Sequence, residues 1–228
     1  MKPKINHISP HLSEILWEEP ISDTLLEKRV SLFELIKNEL HPEIIDIRTG
    51  YNSIVVQWKD KVQRERLEEL SGKVGVLNPQ EFNTWEIPVC YGGHFGKDLG
   101  PFAMSKSMSE EEVIQLHSEQ TYRIHFFGFL PGFMYLHGLN RKLSSPRKSV
   151  PARSVPAGSI AIGGDQTGIY PSSSPGGWHL IGQTPLLFFQ PKNPKPVWAN
   201  VGDWIRFKSV NEQEFDDLVQ NSSPPQAI

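Results

Sequence analysis

Between Asp23 and about Leu40, the apolar residues Leu25, Leu32, Phe33, Ile36 and Leu40 fall on one face at helical spacing. Ser22 stands where a hydroxyl caps the first free amides of such a helix. His41-Pro42 closes it, because the residue before a proline avoids helical geometry. Ile5–Ile8 and Ile15–Trp17 read as strands before the helix. Ile44, Ile45 and Ile47, a turn at Thr49-Gly50-Tyr51-Asn52, and the β-branched and aromatic run Ile54–Trp58 read as two more after it. Lys61–Leu70 predicts a second helix, stopped by Ser71-Gly72. The order β-α-β-β-α over residues 1–84 predicts a small α+β domain, its antiparallel sheet covered by helices on one face.

From Thr84 the pattern changes to short strands and turns. Strands are expected at Glu86–Tyr91, Tyr122–Phe127, Ser159–Ile162, His179–Ile181, Leu186–Phe189 and Trp204–Phe207. One helix is expected near 110–118, where Ser109 and Glu112 form a capping box. Many short strands at close spacing predict a closed β-barrel over 85–210. Residues 211–228 read as a terminal helix, Glu212–Gln220, and a frayed tail from Asn221. There is no internal repeat.

Glycine and proline then concentrate. Phe126–Pro185 holds 10 of the 18 glycines and 7 of the 19 prolines, so this quarter of the chain is built from turns of fixed shape. Polar groups placed between such turns suggest a rigid pocket or docking surface, though tight turns alone account for part of the signal.

Charge narrows the classes. The net charge of −3, with Lys and Arg dispersed, gives no nucleic-acid footprint. No apolar run is long enough to span a membrane. Met1–Asn6 lacks the apolar region of a signal peptide, and the single cysteine, Cys90, fits a reducing compartment. A cytoplasmic protein is expected. Cys90 lies in a predicted strand and reads as a buried structural thiol.

Four segments carry candidate chemistry. His94, Lys97 and Asp98 follow Tyr91-Gly92-Gly93. They read either as a proton-handling or anion-contacting group or as a glycine-rich turn with solvated charges. Arg147 and Arg153 in Pro146–Arg153 can hold phosphate or carboxylate through paired N–H donors, or form a solvated loop. Gly163-Gly164-Asp165-Gln166-Thr167-Gly168 is neither a P-loop nor a Rossmann fingerprint. It reads as a hairpin with Gln166 and Thr167 as possible ligand-facing donors. In Ser174-Pro175-Gly176-Gly177-Trp178, the amides of Gly176 and Gly177 can form an anion-binding nest. Ser174 is a poor nucleophile, since Gly-x-Ser-x-Gly is lacking and Pro175 removes an oxyanion donor. Trp178 reads as core, and His117 as a packing residue on its helix. The histidines are scattered without metal-ligand spacing, so no metal site is predicted.

Taken together, Tyr91-Gly-Gly with Asp98-Leu99, Leu116-His117-Ser118, Gly128–Leu136, Val155–Ser159, Gly163–Pro171 and Ser174–Pro185 resemble the carboxyltransferase-domain subunit 1 family. That family includes the B component of 5-oxoprolinase, allophanate hydrolase subunit 1 and the KipI-type inhibitors of sporulation kinases. The resemblance spans at least 85–207 in consistent order; the N-terminal region fits in length and element order.

The resemblance implies that the barrel is cyclophilin-like and that the chain is a non-autonomous subunit, inactive alone. It implies two partners, the A component of 5-oxoprolinase and its C component, the carboxyltransferase-domain subunit 2 protein. It also implies a lactam substrate, and ATP with a divalent cation in the assembled complex, which opens 5-oxoproline to glutamate. His94 or Asp98 would then handle a proton. Arg147, Arg153, Gln166, Thr167, Tyr170, Ser174, Gly176 and Gly177 would hold substrate or nucleotide. The alternatives are a KipI-type kinase inhibitor and a member of an allophanate or urea-pathway enzyme. Three segments depart from the family. It usually shows Glu-Phe-Gly-Pro-Asp where this chain has His94–Asp98. It has Pro-Arg where Pro151-Ala152-Arg153 stands, and Gly-Arg-Thr-Pro where Gly182-Gln183-Thr184-Pro185 stands. Two expected arginines are therefore missing or shifted.

Overall fold

The structure, a computed structural model, describes residues 2–61, 63–73, 81–221, 225, 227 and 228. It divides into two compact units, 1–81 and 82–228.

In the first unit, β1 (Lys4–Ser9), β2 (Leu12–Leu16), β3 (Ile44–Thr49) and β4 (Ser53–Trp58) form an antiparallel sheet of order β1-β2-β4-β3. Helices α1 (Asp23–Leu40) and α2 (Arg64–Gly72) complete it. Ser22 caps α1 by accepting from Leu25 N at 3.2 Å. The period-2 positions Ile15, Ile54, Val56 and Trp58 pack with Leu25, Leu32, Ile36 and Leu40 of α1. The second helix starts at Arg64 rather than Lys61 and runs through Gly72 instead of stopping at Ser71. Ser71 is buried and returns its hydroxyl to Leu67 O at 2.7 Å, so it continues the last turn. Arg29, on the buried face of α1, donates to the carbonyls of Gly50 and Tyr51. Burial lowers its guanidinium to about 10.

In the second unit come β5 (Thr84–Tyr91), α3 (Leu99–Ser105), α4 (Glu110–Ser118), β6 (Thr121–Phe127) and β7 (Met134–His137). They are followed by β8 (Ala152–Val155), β9 (Ser159–Gly163), β10 (Gln166–Ile169), β11 (Ser174–Gly176), β12 (His179–Gln183), β13 (Trp204–Ser209) and α5 (Glu212–Gln220). Seven strands close into a barrel of order β10-β7-β6-β13-β5-β12-β9, and β11 with β8 makes a separate ribbon. The expected barrel is thus present. Its interior is filled by Ile87, Val89, Tyr122, Ile124, Met134, Leu136, Ile160, Ile162, Ile181, Ile205 and Phe207. The Ser109–Glu112 capping box forms in full.

Leu186–Phe189 is not a strand. Phe188 is buried in the core while Leu187 is exposed, and the Leu187 carbonyl takes Trp198 Nε1 at 3.2 Å. The run is apolar because Leu186 and Phe188 pack into the barrel core, not because it joins the ladder. The terminal helix and the described residues after it belong to the second unit. Half of the expected tail lies outside the described residues, but Ala227 bridges Trp85 and Ile228 N donates to Thr84 O at 2.9 Å.

Candidate functional site

Along β10, side chains alternate between the two faces of the barrel wall. Thr167 and Ile169 turn inward and are fully buried. Gln166 and Gly168 turn outward, where a second apolar cluster of Phe133, Val155, Ala161, Tyr170, Trp178 and Leu180 sits on the wall. A Cβ on Gly163 would lie 2.5 Å from the Trp178 ring, and one on Gly168 would lie 3.0 Å from it. The glycines of the Gly163–Gly168 hairpin therefore let an indole lie flat on the backbone. Trp178 is 4% exposed, as its core reading predicted.

Aromatic rings extend from Trp178. Phe133 meets it edge-on at 5.7 Å and Tyr135 at 5.8 Å, and Tyr135 stacks on Phe126 at 4.1 Å. Tyr170 is buried with its hydroxyl against Gly176. The Arg147 guanidinium stands over the Trp178 ring, 5.6 Å from its centre, a cation–π contact worth about 0.5–1 kcal/mol at an exposed site. Burial pushes the Tyr135 and Tyr170 phenols up, and the nearby Arg147 cation works against both shifts. Both therefore stay neutral hydroxyls near neutral pH.

Gln166 is the polar group on this face of β10. Its Nε2 is buried and has no hydrogen-bond partner. A buried donor without an acceptor costs about 1–3 kcal/mol, so a group that supplied one would gain by binding here. The cation, the orphan amide donor and the aromatic plates thus share the outer face of this part of the barrel wall.

The other sequence-predicted residues are placed differently. Thr167 is not ligand-facing. It lies inside the barrel, donating to Ala161 O at 3.0 Å and meeting His117 Nε2 at 3.0 Å. The strand period sends Gln166 and Thr167 to opposite faces. Gly176 and Gly177 form no nest: neither has positive φ, Gly176 pairs with Ala152, and the Gly177 carbonyl takes Lys148 N at 2.7 Å. Ser174 lies on β11 and its hydroxyl meets Pro175 O at 3.1 Å, which leaves it no base. Arg153 is exposed on β8.

His94 and Asp98 are joined by no hydrogen bond or ion pair. His94 is exposed, its ring tilted against Phe95 at 3.9 Å between centres and 4.0 Å from Glu212. Asp98 Oδ2 instead accepts from Lys148 Nζ at 2.6 Å and from Leu180 N at 2.8 Å. Lys148 was in plain sight in the Pro146–Arg153 segment, but its partner lies 50 residues away and sequence spacing does not reveal it. Tyr135 and Phe133 were likewise legible only as part of a glycine-proline run.

Cys90 is buried, and burial with the carboxylates of Glu212 and Asp216 raises its thiol, so it is a poor nucleophile. Among the described residues no three His, Cys, Asp or Glu side chains converge for a metal, and no helix is long and apolar enough to cross a membrane. A groove of about 580 Å³ runs beneath α5, lined by residues that include Glu86, Lys208, Glu214 and Asp217; no predicted site residue lines it.

This fold and surface belong to a chain that matches the carboxyltransferase domain, subdomain C and D, over residues 3–199, and the chain belongs to that family. It is 46% identical over 138 residues to the B component of the 5-oxoprolinase of Bacillus subtilis, covering 60% of this chain and 58% of that protein. It is 42% identical over 176 residues to the B component of the 5-oxoprolinase of Escherichia coli O157:H7, covering 75% of this chain and 80% of that one. Among solved structures, TTHA0988 superposes with a TM-score of 0.77 at 32% identity, over 88% of this chain and 40% of its own. The chain thus spans less than two thirds of the length of some of its relatives.

Proposed function

We propose that this chain is the B component of an ATP-dependent 5-oxoprolinase, working with the A and C components to open 5-oxoproline to glutamate in the cytoplasm. The observation that carries the reading is its 42–46% identity to three proteins named as that component. The chemistry of the outer barrel face supports it. The substrate is a small flat lactam with one carboxylate. Arg147 offers a fork of N–H donors for that carboxylate. Gln166 Nε2 offers a donor to the lactam carbonyl and gains the acceptor it lacks. Trp178 and Tyr135 border the ring and keep water from it.

ATP, with a divalent cation, supplies the phosphoryl group that makes the lactam carbonyl susceptible to opening. One guanidinium and one amide fit the lactam better than a triphosphate, so we assign the nucleotide to residues shared with the C component. Hydrogen bonding by Gln166 would polarise the carbonyl in place, and Arg147 would fix which way the ring faces.

The test is ATP-dependent conversion of 5-oxoproline by the assembly of this chain with the A and C components, beside the assembly lacking it. Activity that requires this chain, and that falls with Arg147→Ala, is expected. Full activity without the chain removes the reading. Inhibition of a histidine kinase by the isolated chain, with no lactam turnover by the complex, would replace it with the KipI-type role.

A further inference from the structure

Arg147 stands in a loop whose neighbours on both sides are tied down. His179 Nε2 donates to Pro146 O at 2.9 Å, and Lys148 N donates to Gly177 O at 2.7 Å. The Lys148 ammonium reaches Asp98 Oδ2 at 2.6 Å, with both side chains only about a fifth exposed. Asp98 is itself fixed: its Oδ2 also accepts from Leu180 N, and its own N donates to Leu180 O at 2.9 Å. Leu180 and His179 belong to β12, in the barrel wall beneath Trp178. The loop is therefore anchored to the same strand that follows the indole.

The anchoring matters because an arginine carries about 2 kcal/mol of rotamer entropy. A loop free to move would add backbone freedom to that. Charged pairs at the surface contribute little, but this one is short, mostly covered and shares its carboxylate with a backbone N–H. Its ammonium is taken up by Asp98, so it is not a spare cation for a ligand.

We infer that Lys148 is a positioning residue: through its ion pair with Asp98 it fixes the loop that aims Arg147 across Trp178 on the substrate face. This rests on the proposed substrate role of that face. It also gives Asp98 a part other than proton transfer.

The experiment is steady-state kinetics for 5-oxoproline on the complete assembly, comparing Lys148→Met, Lys148→Arg, Asp98→Asn, Arg147→Ala and the Arg147→Ala/Lys148→Met pair. Lys148→Met and Asp98→Asn are each expected to raise KM about tenfold with kcat held within about twofold. Lys148→Arg, which keeps the ion pair, is expected to restore KM. In the Arg147→Ala background, Lys148→Met should add nothing further. A Lys148→Met effect that multiplies fully with Arg147→Ala overturns the inference, and so does an Asp98→Asn enzyme of unchanged KM. If Arg147→Ala itself leaves KM unchanged, the substrate role of that face falls and the inference with it.

Discussion

His117 Nε2 lies 3.0 Å from the hydroxyl oxygen of Thr167, inside the barrel. Because Thr167 donates its own hydrogen to the Ala161 carbonyl, its oxygen must accept from the imidazole, which places the ring hydrogen on Nε2. Nδ1 is then the acceptor for the Tyr91 hydroxyl at 2.8 Å. The ring is stacked on Phe207 and fully buried.

Burial pushes this imidazole from its ordinary 6.5 down to about 3. Between those values the unfolded chain binds a proton that the folded chain refuses. The contribution is complete above about pH 6.5 and is lost as pH falls, by at most about 1.4 kcal/mol per pH unit. From pH 7 to 5 the protein should lose about 2 kcal/mol from this group. His117→Gln should be less stable at pH 7 yet lose this share of the slope. Urea unfolding at pH 7 and pH 5 checks it, and an unchanged slope in the variant would assign the acid sensitivity elsewhere.

Gly163 leaves room for Trp178 and for nothing else. Gly163→Ala puts a methyl group 2.5 Å from the indole, and either the ring or the hairpin must move. We expect a loss of about 1–3 kcal/mol and a red-shifted tryptophan emission. Wild-type stability in the alanine variant would mean that the indole does not rest on this backbone.

Gln166→Met separates stability from function. It removes a buried donor that has no partner, so the melting temperature should hold or rise. Turnover of 5-oxoproline by the full assembly should fall. Thermal unfolding and kcat/KM on one preparation decide the matter; a variant that is destabilised and fully active contradicts both halves.

Asp203 is buried, and its carboxylate takes Asn83 N at 3.1 Å, Trp85 Nε1 at 2.9 Å and Asn200 N at 2.9 Å. It fastens the start of β5 to the approach to β13. Asp203→Ala strands three donors and should cost about 3 kcal/mol or more. Denaturant titration measures this, and a cost below about 1 kcal/mol would show that the strands hold without the clamp.

What the sequence revealed was what local chemistry decides. Ser22 and Ser109 cap their helices because a cap needs only residues three apart. The barrel was legible from its long strands, whereas β7, β8, β10 and β11 have four residues or fewer and sit among turns, leaving too little pattern to separate them. Thr167 was misplaced because period-2 alternation gives two faces without saying which is inside; that depends on pairing with Leu136, far along the chain. The Lys148–Asp98 pair was hidden for the same reason. Arg147 and Gln166 were singled out, but the surface that joins them comes from Trp178 folding back over glycines.

Strand β13 pairs with β5 in parallel, Trp204 against Thr84 through Ser209 against Val89, and with β6 on its other side. The element that closes the barrel is thus the last of its strands to leave the ribosome. Until it emerges, β5 and β6 each present an unfilled edge, and the aliphatic interior has no lid. Closure must await that strand, and contacts of such long range form slowly. A nascent chain halted before Trp204 would be an aggregation-prone open sheet and a natural client for chaperones.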